Sequence, residues 1–182
     1  MEEPQEQQAA HAAGSVEQGD QYVVFRIADE EYAAPILDIQ EIVPAGDITP
    51  FPNAPSYVLG ITNVRGTVAT VISLAKLFNI SKGEGLGVNE GNVILSKDEH
   101  ALYGMQVDAV SSVMRLERDA IRPASSASGL HIDSDYIEGI AVINDRVILI
   151  LDLRKILRQD EKEKLAEAVP LAVPAPVQAP SA

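Results

Sequence analysis

The feature that most constrains this chain is that it repeats itself. The stretch Tyr57-Val-Leu-Gly-Ile-Thr-Asn-Val-Arg-Gly-Thr-Val-Ala-Thr-Val-Ile-Ser-Leu-Ala-Lys-Leu-Phe78 aligns without a gap on Tyr136–Leu157 at an offset of 79 residues. Six of the 22 positions are identical, among them Tyr57/Tyr136, Gly60/Gly139 and Leu74/Leu153, and most others exchange one apolar residue for another. A weaker match precedes it: Tyr32, Ile36, Ile39 and Ile42 meet Tyr103, Val107, Val110 and Val113 at an offset of 71. Two copies of one module are the simplest explanation.

Each copy reads as short strands. Tyr22–Ile27 reads as a strand, and Asp29-Glu30 turns it toward Tyr32. Asn92–Ser96 and Ala101–Val107 form a second hairpin around Lys97–His100, while Arg65-Gly66 and Asn144-Asp145 occupy equivalent hairpin turns. Val147–Leu151 is a continuous apolar run, as in a strand buried on both faces. Ile36, Ile39, Ile42 and Val43 have helical spacing, which predicts a short helix ended by Pro44. Asp152 is placed to cap a helix from Leu153 to Leu157 that continues to about Ala168. Few helices and many short strands predict a mainly β chain of two similar small barrels.

Composition narrows the function. With no Cys, disulfides, thiolate zinc sites and a cysteine nucleophile are excluded. With aromatics at 4% and no Trp, the core is expected to be aliphatic. A formal charge of −13 argues against nucleic acid and against anionic membrane surfaces. Residues 1–20 carry five acids and no Lys or Arg, and read as a disordered acidic tail without the basic start or apolar run of a signal peptide. Residues 159–182 read as a helix extension followed by an Ala/Pro-rich tail. The Gly-rich segment 81–91 lacks phosphate-loop spacing and contains acids, so it reads as a linker. The domain expected over 21–158 then divides into one barrel at about 21–80 and another at about 92–158.

Catalytic signals are weak. His11 lies in a tail, His100 in a hairpin turn, and His131 in a loop with Asp133 and Asp135 that has no established metal spacing. Ser125, Ser126 and Ser128 lack a nucleophile elbow. Neither a cofactor nor a metal is expected, and a hydrolase using the acids near His131 is the enzymatic alternative. Polar residues in apolar context say more: Glu41 lies within Ile39-Gln-Glu-Ile-Val43, and Arg65 lies at a hairpin tip. A charge beside buried strands calls for a partner, so these two are expected to pair. Gly60, Gly66 and Gly139 are assigned to tight backbone geometry.

These residues resemble a known family. Asp29–Ile42, the Gly60-Ile-Thr-Asn-Val-Arg-Gly66 block with its leading Pro55-Ser-Tyr-Val-Leu, and Tyr103-Gly-Met-Gln-Val-Asp-Ala-Val-Ser-Ser-Val113 are similar, in order, to the signatures of the CheW chemotaxis coupling proteins, and Ile121-Arg-Pro123 and Tyr136–Leu157 complete the pattern. The resemblance covers about residues 21–158. It implies a pair of five-stranded SH3-like barrels and a non-enzymatic adaptor that couples chemoreceptors to the histidine kinase CheA. It places the chain in the cytoplasm, recruited to receptor arrays at the inner membrane face without inserting. The chain leaves no room for a kinase or receiver domain, which argues against CheA itself and against the CheV variant. By the same resemblance, the receptor's helical tip docks in an apolar groove between the barrels, lined by Ile36, Ile39, Val68 and Val93 and shaped by Glu41 and Arg65. The CheA regulatory domain docks at a barrel end near Val110. Where family members have Asp-Leu-Arg after the first long hairpin, this chain has Ser73-Leu-Ala75; the second module keeps Asp152-Leu-Arg154. That departure suggests altered partners, with a paralogue serving a pilus-motility or other chemosensory-like array as the alternative.

Overall fold

The repeat reappears in the backbone hydrogen bonds of the computed structural model, which describes residues 19–80, 86–97, 101–124, 132 and 134–156. The first module contributes β1 (Asp20–Ile27), β2 (Glu30–Pro35), a 3-10 turn at Ile36–Asp38, β3 (Glu41–Pro44), β4 (Val58–Val64), β5 (Thr67–Ser73) and α1 (Leu74–Leu77). The second contributes β6 (Asn92–Lys97), β7 (Leu102–Val107), β8 (Ala109–Leu116), β9 (Ile121–Pro123), β10 (Ile137–Ile143), β11 (Arg146–Leu151) and α2 (Leu153–Ile156). The expected tails fall largely outside the described residues, as do His11, His100, His131, Asp133 and any extension of α2.

The strands form two sheets, ordered β8-β1-β2-β11-β10-β9 and β3-β6-β7-β5-β4. Under the internal alignment these orders match strand for strand, with β9 as the extra edge. Each sheet closes on itself through one edge strand's own chain. After β3 pairs with β6, the chain crosses to bridge Thr49 to Ile61 on β4. After β8 pairs with β1, it crosses to place Arg122 opposite Ile140 on β10. The result is a larger and a smaller barrel.

The barrels do not coincide with the two halves of the chain. The β1–β2 hairpin of the first module sits between β8 and β11 of the second, with β2 parallel to β11. Reciprocally, the β6–β7 hairpin sits between β3 and β5, with β7 parallel to β5. The division at 81–91 into barrels of about 21–80 and 92–158 is therefore corrected: the smaller barrel takes its strands from residues 41–107, and the larger from 20–35 and 109–151. Sequence similarity marks where a module repeats but not which copy its hairpin pairs with. Nor does residues 86–91 behave as a bare linker. Buried Gln106 donates through Nε2 to the carbonyls of Gly87 (2.8 Å), Val88 (3.2 Å) and Glu90 (2.9 Å), stapling that segment to β7.

The expected helix at Ile36–Val43 is also corrected. Only Ile36–Asp38 is helical, closed by Ile39 N–H donating to the Ile36 carbonyl at 3.1 Å. A spacing of three suits a 3-10 turn, which stacks residues i and i+3. Beyond it, Gln40 N–H donates to the Leu95 carbonyl (2.8 Å) and β3 pairs with β6, where Ile42 and Val43 suit a strand.

Three apolar layers result. Val24, Ala33, Ile148 and Ile150 fill the larger barrel, and Val71, Val93, Leu95 and Leu102 the smaller. The third layer lies between the barrels and draws on both: Phe25, Ile27, Tyr32, Leu149 and Leu151 from one, Ile72, Ile94, Met105 and Val107 from the other, with Leu74 and Leu153 of the helices. Strands such as β11 are thus apolar on both faces from Ile148 onward, one face inside a barrel and the other in the shared layer. The layer is not purely aliphatic, as composition had suggested. Phe25, Tyr32, Phe78 and Tyr136 form a ring column with successive centroids 6.1, 6.2 and 6.0 Å apart.

Equivalent backbone details recur. Register shifts fall at Val58/Gly60 and at Ile137/Gly139, and a Cβ on Gly60 would lie 2.0 Å from the Thr49 carbonyl oxygen. Ser73 N–H donates to the Tyr57 carbonyl (2.8 Å) as Asp152 N–H does to that of Tyr136 (3.0 Å). Ser73 Oγ then caps α1 by accepting from Lys76 N–H, and Asp152 Oδ1 accepts from Arg154 N–H.

Two expectations follow. Phe78→Ala should cost about 3–5 kcal/mol in chemical denaturation, and both barrels should still unfold in one transition because the layer is shared. The Tyr32 hydroxyl donates to Glu30 Oε2 at 2.6 Å. Burial, reinforced by that bond, holds its pKa well above the ordinary tyrosine value, and burial raises that of Tyr22 as well. A folded state that holds these protons more tightly than the unfolded chain keeps its full advantage below about pH 10, where free tyrosine ionises, and loses it as pH rises further. Thermal melts should therefore fall above about pH 10, and Tyr32→Phe should flatten that fall.

Candidate functional site

The pair expected between Glu41 and Arg65 is present. Arg65 Nη2 lies 2.6 Å from Glu41 Oε1, and Nε lies 3.2 Å from both carboxylate oxygens. Glu41 opens β3 at one edge of the smaller barrel, and Arg65 sits in the β4–β5 turn at the other, so the contact spans the barrel mouth. The turn has positive φ at both central residues, Arg65 (51°) and Gly66 (86°), as a tight two-residue hairpin requires. Its equivalent, Asn144 (49°) and Asp145 (63°), holds the residue types that tolerate this conformation. Arginine is a poor choice there on backbone grounds, and its fork-like contact with Glu41 supplies the reason. That carboxylate raises the Arg65 pKa, chiefly through the hydrogen bond. The equivalent positions in the second module are Ser112 and Asn144, so no such ion pair can form there.

The other residues expected at the groove separate. Ile36 and Ile39 are half-buried on the 3-10 turn and its end, and Ile39 and Ile42 pack on the edge of the inter-barrel layer. Val68 is 40% exposed, opposite Asn63 in the β4–β5 hairpin. Val93 is corrected: at 1% exposure it points into the smaller barrel. Three successive apolar residues in Val93-Ile94-Leu95 conceal which face each takes, because both faces of β6 are buried. Val110 is half-buried at the start of β8, opposite Phe25, and packs on the inter-barrel layer.

The seam between the barrels is not an open groove along its length. Its middle is filled by the chain's own aromatic column and by Ile72, Ile94, Met105 and Leu149. Aliphatic surface remains at the rim, around the 3-10 turn, β3 and the β4–β5 hairpin. Among the described residues no cluster of His, Asp or Glu could hold a metal ion; His131 and Asp133 lie outside them. Sequence reasoning missed Leu37, which is 93% exposed beside Ile36. The 3-10 turn at Ile36–Asp38 leaves its side chain in solvent.

A rigid surface shaped by an ion pair and edged with aliphatic side chains is the equipment of a protein-binding module. Comparison with known proteins specifies which. Residues 21–161 match the family model of the CheW-like domain. The chemotaxis protein CheW of Helicobacter pylori is 34% identical over 159 residues, covering 85% of this chain and 94% of that protein. That of Klebsiella aerogenes is 29% identical over 144 residues, covering 79% and 84%. The crystal structure of the scaffolding protein TtCheW from Thermoanaerobacter tengcongensis superposes with a TM-score of 0.71 at 30% identity, covering 83% of this chain and 96% of that one. The chain belongs to the CheW family of chemotaxis coupling proteins. Its function is that of a scaffold adaptor coupling chemoreceptors to the kinase CheA.

Because Arg65 is exposed, Arg65→Ala should leave the melting temperature within about 3 °C of wild type, while hydrogen exchange at the β4–β5 turn should speed up as the hairpin loses its tie to β3.

Proposed function

We propose that a chemoreceptor's helical tip lies on the rim formed by Ile36, Ile39 and Val68, held to shape by the Glu41–Arg65 pair. The observation that carries this reading is the pair itself, a bidentate contact across the mouth of one barrel that its internal duplicate lacks. A helix laid on such a surface takes its affinity from aliphatic anchors along one face. The regulatory domain of CheA docks at the end of the larger barrel, near Val110. The chain acts without catalysis, in the cytoplasm at the receptor array. No helix among its described residues is long and apolar enough to cross a membrane. Each contact buries about 800 Å² per partner or less, and repetition through a lattice turns weak contacts into firm assembly. The relatives named above are chemotaxis proteins, which favours this role over a pilus-motility array.

Co-sedimentation with receptor fragments and with CheA, measured separately, tests the assignment. Ile39→Glu and Arg65→Ala should each weaken receptor binding about tenfold or more while leaving CheA binding near wild type. Val110→Glu should do the reverse. Wild-type receptor binding by both rim variants would overturn the docking surface.

A further inference from the structure

The 3-10 turn presents a side chain that the rim described above does not use. Leu37 is 93% exposed, between half-buried Ile36 and Ile39. A single exposed leucine is ordinary on a protein surface. This one stands on a turn anchored on several sides. Pro35 precedes it, and Ile39 N–H and Gln40 N–H close onto Ile36 and Leu95 behind it. Asp38, with a side chain only 13% exposed, places Oδ1 3.5 Å from Arg154 Nε on α2. Arg154 Nε also lies 3.6 Å from Asp152 Oδ1, and Lys155 Nζ lies 3.5 Å from Asp152 Oδ2. A turn of the first module is thereby tied to a helix of the second.

The internal repeat shows that this tie is particular to one corner of the molecule. Under the two offsets, Asp38 corresponds to Ala109, Arg154 to Ala75 and Asp152 to Ser73. The acid and the base are both present in one corner and both absent from the other. Ser73 and Ala75, the departure from the family pattern, face a pseudo-equivalent turn that has Ala109 at the position of Asp38; its carboxylate, Asp108, aligns with Leu37 and accepts from Ala28 N–H.

We propose that Leu37 is an anchor for the chemoreceptor helix and that Asp38 and Arg154 are positioning residues that hold its turn. The inference rests on the receptor-docking reading and extends it. Consecutive Cα atoms are 3.8 Å apart and a helix with its side chains is about 10 Å across. A helix that covers both Ile39 and the Glu41–Arg65 pair therefore comes within reach of Leu37. The occupant expected is an aliphatic pocket between successive turns of that helix.

The test compares Leu37→Ser, Arg154→Ala, Arg154→Lys and Asp38→Ala/Arg154→Ala with Arg65→Ala in the full chain. It reads affinity for a receptor fragment and for CheA separately, together with oligomeric state and melting temperature. Leu37→Ser should weaken receptor binding about tenfold at unchanged melting temperature and CheA affinity. Arg154→Ala should weaken it several-fold, Arg154→Lys should recover part of the loss, and the double alanine variant should be no weaker than Arg154→Ala alone. Wild-type receptor affinity for Leu37→Ser beside a loss for Arg65→Ala overturns the anchor and leaves the docking surface standing. Wild-type affinity for both overturns the docking surface itself. Loss of CheA binding in Leu37→Ser, or a changed oligomeric state, reassigns the turn to another contact and overturns the inference. Wild-type affinity for Arg154→Ala overturns the positioning role.

Discussion

Neither barrel can be completed by one half of the chain. The β1–β2 hairpin supplies central strands to the larger barrel, and the β6–β7 hairpin supplies them to the smaller. Removing either would expose two rows of backbone donors and acceptors as well as the apolar layer behind them. The same exchange builds that layer, because each transferred hairpin turns one face into its host barrel and the other toward the seam. Val93 and Leu95 go one way on β6, and Ile94 goes the other. The aromatic column of Phe25, Tyr32, Phe78 and Tyr136 runs through the seam, so four of the eight aromatic residues are spent where the two modules meet. A rigid relation between the barrels is what a scaffold requires, since a partner held at one end must have a defined position relative to a partner at the other.

On this near-symmetric frame the surfaces have diverged. The first module carries Glu41 and Arg65 where the second has Ser112 and Asn144. The corner between the 3-10 turn and α2 carries Asp38 and Arg154 where its counterpart has two alanines. Surface ion pairs contribute little to stability, and closed barrels with a shared core do not depend on them. Their value here is geometric: each holds a turn or hairpin tip in one position at the rim. An adaptor with two different partners needs two different faces, and paired charge substitution on a duplicated fold is a direct route to them.

Several local features were legible in the sequence because they arise from short-range constraints. The hairpin turns at Arg65-Gly66 and Asn144-Asp145 follow from residues that accept positive φ or are forced into it. The glycines at 60 and 139 recur because both modules kink the same strand against a crossing backbone. The Glu41–Arg65 pair was inferable because two charges stood alone in apolar surroundings. The side that Val93 takes is not legible in the sequence, because both faces of its strand are apolar and periodicity carries no information there. The helix expected at Ile36–Val43 failed because a spacing of three fits a 3-10 turn equally well, and the free edge of β6 captured the residues that followed. The linker expected at 81–91 fails over residues 86–91, where the three carbonyls bound by Gln106 leave no trace in side-chain identity.

By itself the sequence determined that a β module occurs twice, where its turns and kinks fall, and to which family it belongs, since all of these reside in local residue patterns. Tertiary structure decided which hairpin completes which barrel, that the seam is packed by the chain's own rings, and which aliphatic side chains near its rim, Leu37 and Val68 among them, stay exposed. The physical reason is that strand pairing and layer packing are settled by contacts between residues distant in the chain. The internal repeat marks both hairpins alike and so does not say which barrel each one completes.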